Sequence, residues 1–363
     1  MHKNLARAAA LAAALLSPFH TPAQTPPLKV GFVYVSPVGE AGWSFQHDLG
    51  RREMERALGA RVKTTVVEAV AEGADSERVM RDLAAQGHQL IFATSFGYLE
   101  PALRVAAAFP QVRFEHAGGY KTAANLNTYN ARYYEARYLA GWLTGKTSRS
   151  GIAGYVAGFP VPEVVQGINA FAIGLREANP KAQLRVLWLN AWFDPARERE
   201  AAQTLINQGA DVLTNHSGSP AVPQAAQAAF KDKGVRVVAY QSDMKAFAPD
   251  AQLAAVTHHW GGHYTRVAQS VLEGRWKPTP VWAGMKDGLV QLSAVDATLP
   301  AAVRDELEAK RRAIAEGRFK PFRGPLADNS GRERIARGAI LDDAAIAGMN
   351  WLAAGVVGSL PGQ

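Results

Sequence analysis

Ten short apolar runs punctuate the chain: KVGFVYV, KTTVVEAV, QLIFATS, VRFEHAG, LNTYNA, SGIAGYVA, LRVLWLNA, ADVLTNHS, RVVAYQSD and AAVTHHW. Their β-branched and aromatic content predicts strands. Between them lie longer segments with helical periodicity, such as SFQHDLGRREMERALG, DSERVMRDLAAQG and EREAAQTLINQG. Each of these three ends in glycine, as helix C-termini often do. Strand–helix alternation of this kind predicts an α/β protein with doubly wound parallel sheets.

The pattern occurs twice, over residues 29–118 and 151–243, with RYLAGWLTGKTSRS between. About 340 residues also exceed one ordinary core, so two lobes are expected. The first should comprise 28–145 plus about 258–284, and the second 146–257 plus about 285–322. Residues 323–363 break the alternation and read as an appendage packed on a lobe. There DNSG and GPLAD predict turns, and DDAAIAGMNWLAAGV predicts a last amphipathic helix with Met349 and Trp351 as core contacts.

Open α/β sheets bind ligands at the carboxyl ends of their strands. Reading the positions after each strand gives Trp43, Phe45, Phe96, Tyr98, Asn130, Phe159, Asn190, Trp192, Phe193, Gln241 and Asp243, a set of aromatics and amides with little clustered charge. Trp43 and Phe45 stand out, because GEAGWSFQHDLG places two large aromatics in a glycine-flanked stretch after the first strand. They serve either as packing residues or as faces for a ligand.

The first residues, MHKNLARAAALAAALLSPFHTPAQ, have the layout of a secretory signal peptide over 1–23. The apolar run is too short to span a bilayer. Removing it takes Lys3 and Arg7 away and lowers the formal charge from +8 to +6. The remaining Lys and Arg are scattered, which argues against a nucleic-acid partner. With no cysteine anywhere, there is no disulfide, thiolate metal site or lipid-anchor cysteine. A soluble periplasmic monomer without lipid anchor is expected.

Searches for catalytic chemistry give little. GWLTGKT imitates a phosphate loop, but Ala140 stands where its first glycine is needed. HHWGGH spaces His259 and His263 four apart, yet Gly261 and Gly262 disfavour the helix that would align them. NHSGS lacks a nucleophile elbow. No catalytic residues, metal site or cofactor are expected. A crevice lined by aromatics and amides suits a flat heterocycle, since stacking contributes about 1–3 kcal/mol per base.

The segments GWSFQHDLG, YYEARYLAGWLTG, GYVAGFPVPEVVQGINAFAIGLREANP, AWFDPARE, INQGADVL and GMKDGLVQLS resemble the basic membrane protein (BMP) family of ABC-transporter solute-binding proteins, which includes purine-nucleoside receptors. The resemblance implies a type I periplasmic-binding-protein fold, a three-segment hinge, a membrane permease as partner, and a purine held between one aromatic from each lobe. By position, Phe45 matches the first-lobe aromatic and Trp192 the second, with Phe193 close enough to exchange the role. Two departures matter. Nucleoside receptors usually carry an acidic residue shortly before the Ser-Phe-Asn motif, whereas here Gly42 and Trp43 stand just before Ser44 and Gln46 replaces Asn; the second-lobe Asp-x-Asp pair becomes Gln241 and Asp243. Carboxylates suit a ribose diol, so their loss favours a free purine base, adenine first, with a nucleoside as the alternative and a nucleoside-processing enzyme as a weaker one. Asp243 either accepts from the ligand edge or caps the following helix.

Overall fold

The computed structural model describes residues 26–362; the expected signal peptide lies outside the described residues. The first lobe runs β1 (Leu28–Val33), α1 (Trp43–Leu58), β2 (Val62–Val67), α2 (Ala74–Ala85), β3 (Leu90–Ala93), α3 (Leu99–Ala108), β4 (Arg113–Ala117) and β5 (Leu126–Ala131). Then follow α4 (Tyr133–Thr147), β6 (Ile152–Ala157), α5 (Pro162–Ala178), β7 (Gln183–Trp188), α6 (Pro195–Asn207), β8 (Val212–His216), α7 (Ala221–Lys233), β9 (Arg236–Gln241) and β10 (Gln252–His258). The chain returns through α8 (Gly261–Leu272) and β11 (Val281–Ala283), then crosses again into β12 (Val290–Ser293) and α9 (Ala301–Ala315). It finishes with the hairpin β13 (Leu326–Ala327) and β14 (Glu333–Ile335), then α10 (Asp343–Ala347) and β15 (Val356–Val357).

Each predicted apolar run became a strand. The first sheet has the order β11-β5-β4-β3-β1-β2, and the second β12-β10-β9-β8-β6-β7-β15. All pairings are parallel except β10 with β12. Strand order reverses between β1 and β3 in one lobe and between β6 and β8 in the other. Those two switch points open the crevices where α/β sheets take ligands. The central strands carry apolar side chains on both faces, as helix-covered parallel sheets require; β3, for example, is buried throughout.

Two sequence expectations change. Helix α4, assigned to the first lobe, packs along α5 instead, with contacts to β12, β10 and α9. Every residue of α4 from Tyr133 to Gly145 is buried, so it has no polar face with which to lie on a lobe surface. The crossing between lobes therefore falls at residues 131–133, where the Arg132 N–H bonds the Ala283 carbonyl (2.8 Å). The last predicted helix shortens to α10, ending at Gly348. Beyond it the chain turns and adds β15 to the outer edge of β7. Met349 is buried, and Asn169 Nδ2 donates to the Trp351 carbonyl at 2.7 Å.

Helices α4 and α5 meet through glycines. A Cβ on Gly141 would stand 1.9 Å from the Phe171 carbonyl oxygen, and one on Gly174 would stand 2.0 Å from that of Tyr138. Gly145 likewise faces the Leu175 carbonyl, at 2.5 Å from its would-be Cβ. Two of the segments that carry the family resemblance thus owe part of their pattern to backbone approach rather than to ligand contact.

Candidate functional site

A cavity lies between the lobes, the position where two-lobed α/β folds take small molecules. Val35 and Ser36 reach it from the end of β1, Ser95 and Phe96 from β3, and Ala117 from β4. The second lobe contributes Glu163 near the start of α5, Trp192 after β7, His216 at the end of β8 and Gln241 at the end of β9. Trp43 stands on the first residue of α1 and also lines the cavity.

Trp43 is held on three sides. Its Nε1–H donates to the Thr94 carbonyl at 2.6 Å, and its ring lies edge-on to His47 (4.3 Å, 65°) and Trp260 (6.2 Å, 72°). Trp192 is fixed by an edge contact with Phe159 (4.9 Å, 64°). Its Nε1–H crosses the cleft to Glu72 Oε1 at 3.1 Å. Glu72 also accepts from Ser95 Oγ (2.6 Å) and the Gly97 N–H (2.8 Å), so one carboxylate joins the lobes. Gly158 is required beneath Trp192, since a Cβ there would come within 2.8 Å of the indole.

A second cross-cleft contact is made by backbone. Gly42 (φ +93°) donates its N–H to Ser242 Oγ at 2.8 Å. A Cβ on it would lie 2.0 Å from the Gly218 carbonyl oxygen. The closed arrangement therefore needs glycine at residue 42. Gly42→Ala is expected to weaken ligand binding about tenfold to a hundredfold by obstructing closure, and to lower the stability of the free protein by about 1–3 kcal/mol because alanine is strained at that φ. Calorimetric titration beside thermal unfolding checks this, and undiminished affinity refutes it.

Of the residues expected at the site, the structure brings Trp43, Phe96, Trp192 and Gln241 to this cavity. Asn130 lines an adjoining, more open chamber. The others go elsewhere. Phe45 is not on the lining, because two residues along α1 turn it to nearly the opposite face from Trp43. Gln46 is buried with its Nε2–H donated to the His258 carbonyl. Tyr98 sits in the first-lobe core and donates its hydroxyl to the Val70 carbonyl (2.6 Å). Phe159 props Trp192 from behind. Asn190 adopts φ +52° in an exposed turn, and Phe193 is 36% exposed beside Gly218. Asp243 Oδ1 accepts from the Lys245 N–H (3.0 Å) and Gln252 Nε2 (2.7 Å); it braces the turn between β9 and β10, and the next element is a strand rather than a helix for it to cap.

Sequence reasoning missed Glu163. Burial pushes its carboxyl up to about 7, against a lowering hydrogen bond from Asn130. His216, also buried, is held well below the ordinary imidazole range by desolvation, helped by the charge of Arg137. Their 3.7 Å approach is therefore a contact to a neutral imidazole, not an ion pair. The one available signal was VPE after a strand: proline at the first helical position with an acid behind it marks a helix opening at the sheet's carboxyl end.

Behind the cavity the interior is unusually polar. Arg137 is fully buried, donates to Thr214 Oγ1 (2.8 Å) and lies 3.4 Å from the centroid of the Tyr240 ring. His47 and Trp260 stack at 4.9 Å and 9°. Among the described residues there is no cluster of side chains that could hold a metal ion, and no helix long and apolar enough to cross a membrane.

Two parallel α/β lobes with a closed cavity at both switch points define a type I periplasmic-binding-protein architecture. Solved structures agree: an ABC transporter solute-binding protein from Aeropyrum pernix K1 superposes with TM-score 0.70 at 18% identity, covering 81% of this chain and 93% of that one. One from Conexibacter woesei gives 0.64 at 21% identity, covering 81% and 98%. The chain belongs to the Bmp family, described as ABC transporter substrate-binding protein PnrA-like, which matches residues 28–320. A purine-binding protein of Brucella abortus is 47% identical over 92% of this chain and 94% of its own length. A Haloferax volcanii protein named as an ABC transporter glucose-binding protein is 38% identical over 84% and 76%.

Proposed function

We propose that this ABC transporter substrate-binding protein carries a purine base, adenine in particular, to a membrane permease. In this reading it is exported by the leader over residues 1–23, works as a monomer in the periplasm, performs no chemistry on its cargo and takes no nucleic acid. The observation that carries it is the cavity itself: indoles from opposite lobes, Trp43 and Trp192, share one space with Phe96, while the lining atoms buried without a hydrogen-bond partner, Gln241 Oε1 and His216 Nδ1, lie on the second-lobe wall. Aromatic faces with a polar edge on one side fit a flat, edge-functional ring. The purine-binding relative from Brucella adds support. A nucleoside is the second reading, favoured by the chamber that adjoins the cavity through Phe96 and Glu163.

Thermal unfolding tests the ligand class. Adenine should raise the melting temperature by mass action, whereas glucose and amino acids should not; a response to glucose alone would sink the purine reading. Trp43→Ala and Trp192→Ala should each weaken adenine binding by about 1–3 kcal/mol. Both variants should stay folded, and unchanged affinity in titration calorimetry for both would remove the stacking role.

A further inference from the structure

The polar groups lining the cavity are not equally free. Ser36 Oγ is engaged with Ser44 Oγ at 2.7 Å, Ser95 Oγ with Glu72, and both indole N–H groups have partners. Gln241 Oε1 and His216 Nδ1 are buried without a hydrogen-bond partner, and Glu163 brings the only carboxyl among the described lining residues. The two open groups call for a ligand's complement, while Glu163 already takes a hydrogen bond from Asn130. All three residues belong to the second lobe.

Position singles out Glu163. Only Phe96 and Glu163 line both the closed cavity and the adjoining chamber, so these two side chains form the partition between them. Gly118 packs on the partition from the first lobe: a Cβ there would stand 3.2 Å from Glu163 Oε2 and 3.7 Å from the Phe96 ring. A substituent leaving the cavity in that direction must displace the carboxyl. A free purine base carries a hydrogen on its imidazole ring; a nucleoside carries ribose at that nitrogen.

We propose that Glu163 is the specificity-determining residue of the cleft, its carboxylate accepting the imidazole-ring N–H of a free base and its bulk barring the ribose of a nucleoside. The assignment rests on the purine-base reading and deepens it. Gln241 and His216 remain to meet the amino–pyrimidine edge, each offering both a donor and an acceptor when neutral.

The ionised carboxyl accepts an N–H more strongly than the protonated one, whereas burial holds the Glu163 carboxyl at about 7. Base binding at pH 6 therefore releases close to one proton, roughly the fraction of the carboxyl that is protonated before binding. The groups around it do not supply that proton. Asn130 on β5 does not titrate, and His216 on β8 is already neutral. Tyr133 on α4, Tyr155 on β6 and Tyr240 on β9 are all raised by burial, and the Arg137 guanidinium on α4 packs over the Tyr240 ring.

Titration calorimetry with adenine and adenosine, repeated in buffers of different ionisation enthalpy, decides the matter on the wild-type protein, Glu163→Ala and Glu163→Gln. The wild type should bind adenine more tightly than adenosine and release a proton at pH 6. Glu163→Ala should raise the Kd for adenine about tenfold to a hundredfold, while adenosine binds as well as before or better. Glu163→Gln keeps the partition's size and should lose the proton release. Tighter binding of adenosine to the wild type, equal loss of both ligands in Glu163→Ala, or no proton release from the wild type overturns the assignment, and the wild-type count does so without any variant. If no purine binds at all, the purine reading falls and takes the assignment with it; purine binding with unaltered discrimination overturns the assignment alone.

Discussion

Gly141→Ala and Gly174→Ala should each destabilise the protein by more than about 3 kcal/mol. Helix propensity argues the other way, since alanine in a helix interior gains about 0.5–1 kcal/mol over glycine. Packing wins because the added methyl group would meet backbone, 1.9 Å from the Phe171 carbonyl oxygen or 2.0 Å from that of Tyr138. A flexible side chain could swing aside; a carbonyl in the middle of a helix cannot. The helices would have to separate, and α4 is buried on every side, so its other contacts would loosen with them. Gly262→Ala in α8 is the control. That residue is exposed and its Cβ would meet only Arg266 Nη1 at 3.4 Å, so propensity should prevail and stability hold or rise slightly. Denaturant unfolding of the three variants separates the effects, and near-wild-type stability of Gly141→Ala and Gly174→Ala would refute the close crossing.

Acidification from pH 7 to pH 5 should destabilise the ligand-free protein. Two sets of buried groups oppose each other in this window. His47, His116, His216, His258 and His263 are all held below the ordinary imidazole value of 6.5 by desolvation, His116 to about 4 and His263 to about 3. They are neutral in the folded protein but protonated once unfolded, so their contribution is lost as pH falls below 6.5. Glu115, Glu163 and Glu198 are raised by burial to about 7 from 4.5. They hold protons in the folded protein that the unfolded chain releases, so they contribute more as pH falls through 7 towards 4.5. His88 and His259 are lowered too and Glu135 is raised, so seven imidazoles oppose four carboxyls; the unfolded chain binds more protons in this window, and stability falls with pH. A melting temperature that rises on going from pH 7 to pH 5 would show that the carboxyls dominate.

The fold was largely legible because apolar runs and helical periodicity report burial directly. The ten strands of the two sheets' central portions each announced themselves this way. The later elements did not: β15 is two residues long, and β11 draws its stability from pairing with β5 rather than from its own pattern. The membership of α4 was hidden too, because periodicity shows that a helix is buried but not which partner buries it. At the site, the rule that ligands meet strand ends located Trp43, Phe96, Trp192 and Gln241. It could not separate Phe45 from Trp43, since which of two near neighbours faces a cavity depends on where α1 begins. Tyr98 and Asp243 followed strands as required but found partners inside the protein. Glu163 escaped because an acid near the start of a helix is ordinarily a solvated one, and only the opposite lobe closing over it makes it a cavity wall.

Until Val356 and Val357 dock beside Leu184 and Arg185, the outer edge of β7 presents unpaired N–H and C=O groups of the kind that recruit strands from other molecules. The protection of that edge comes from more than 170 residues further along the chain, so the second lobe stays open to misassociation long after its central strands can pair. The closing strand is held by hydrogen bonds on either side of it: Asn169 Oδ1 accepts the Ala353 N–H at 2.8 Å, and the Asn329 amide reaches the Gly358 carbonyl at 3.0 Å. The C-terminal segment thus acts as a built-in guard against aggregation, and a chain cut short of residue 356 would lack it.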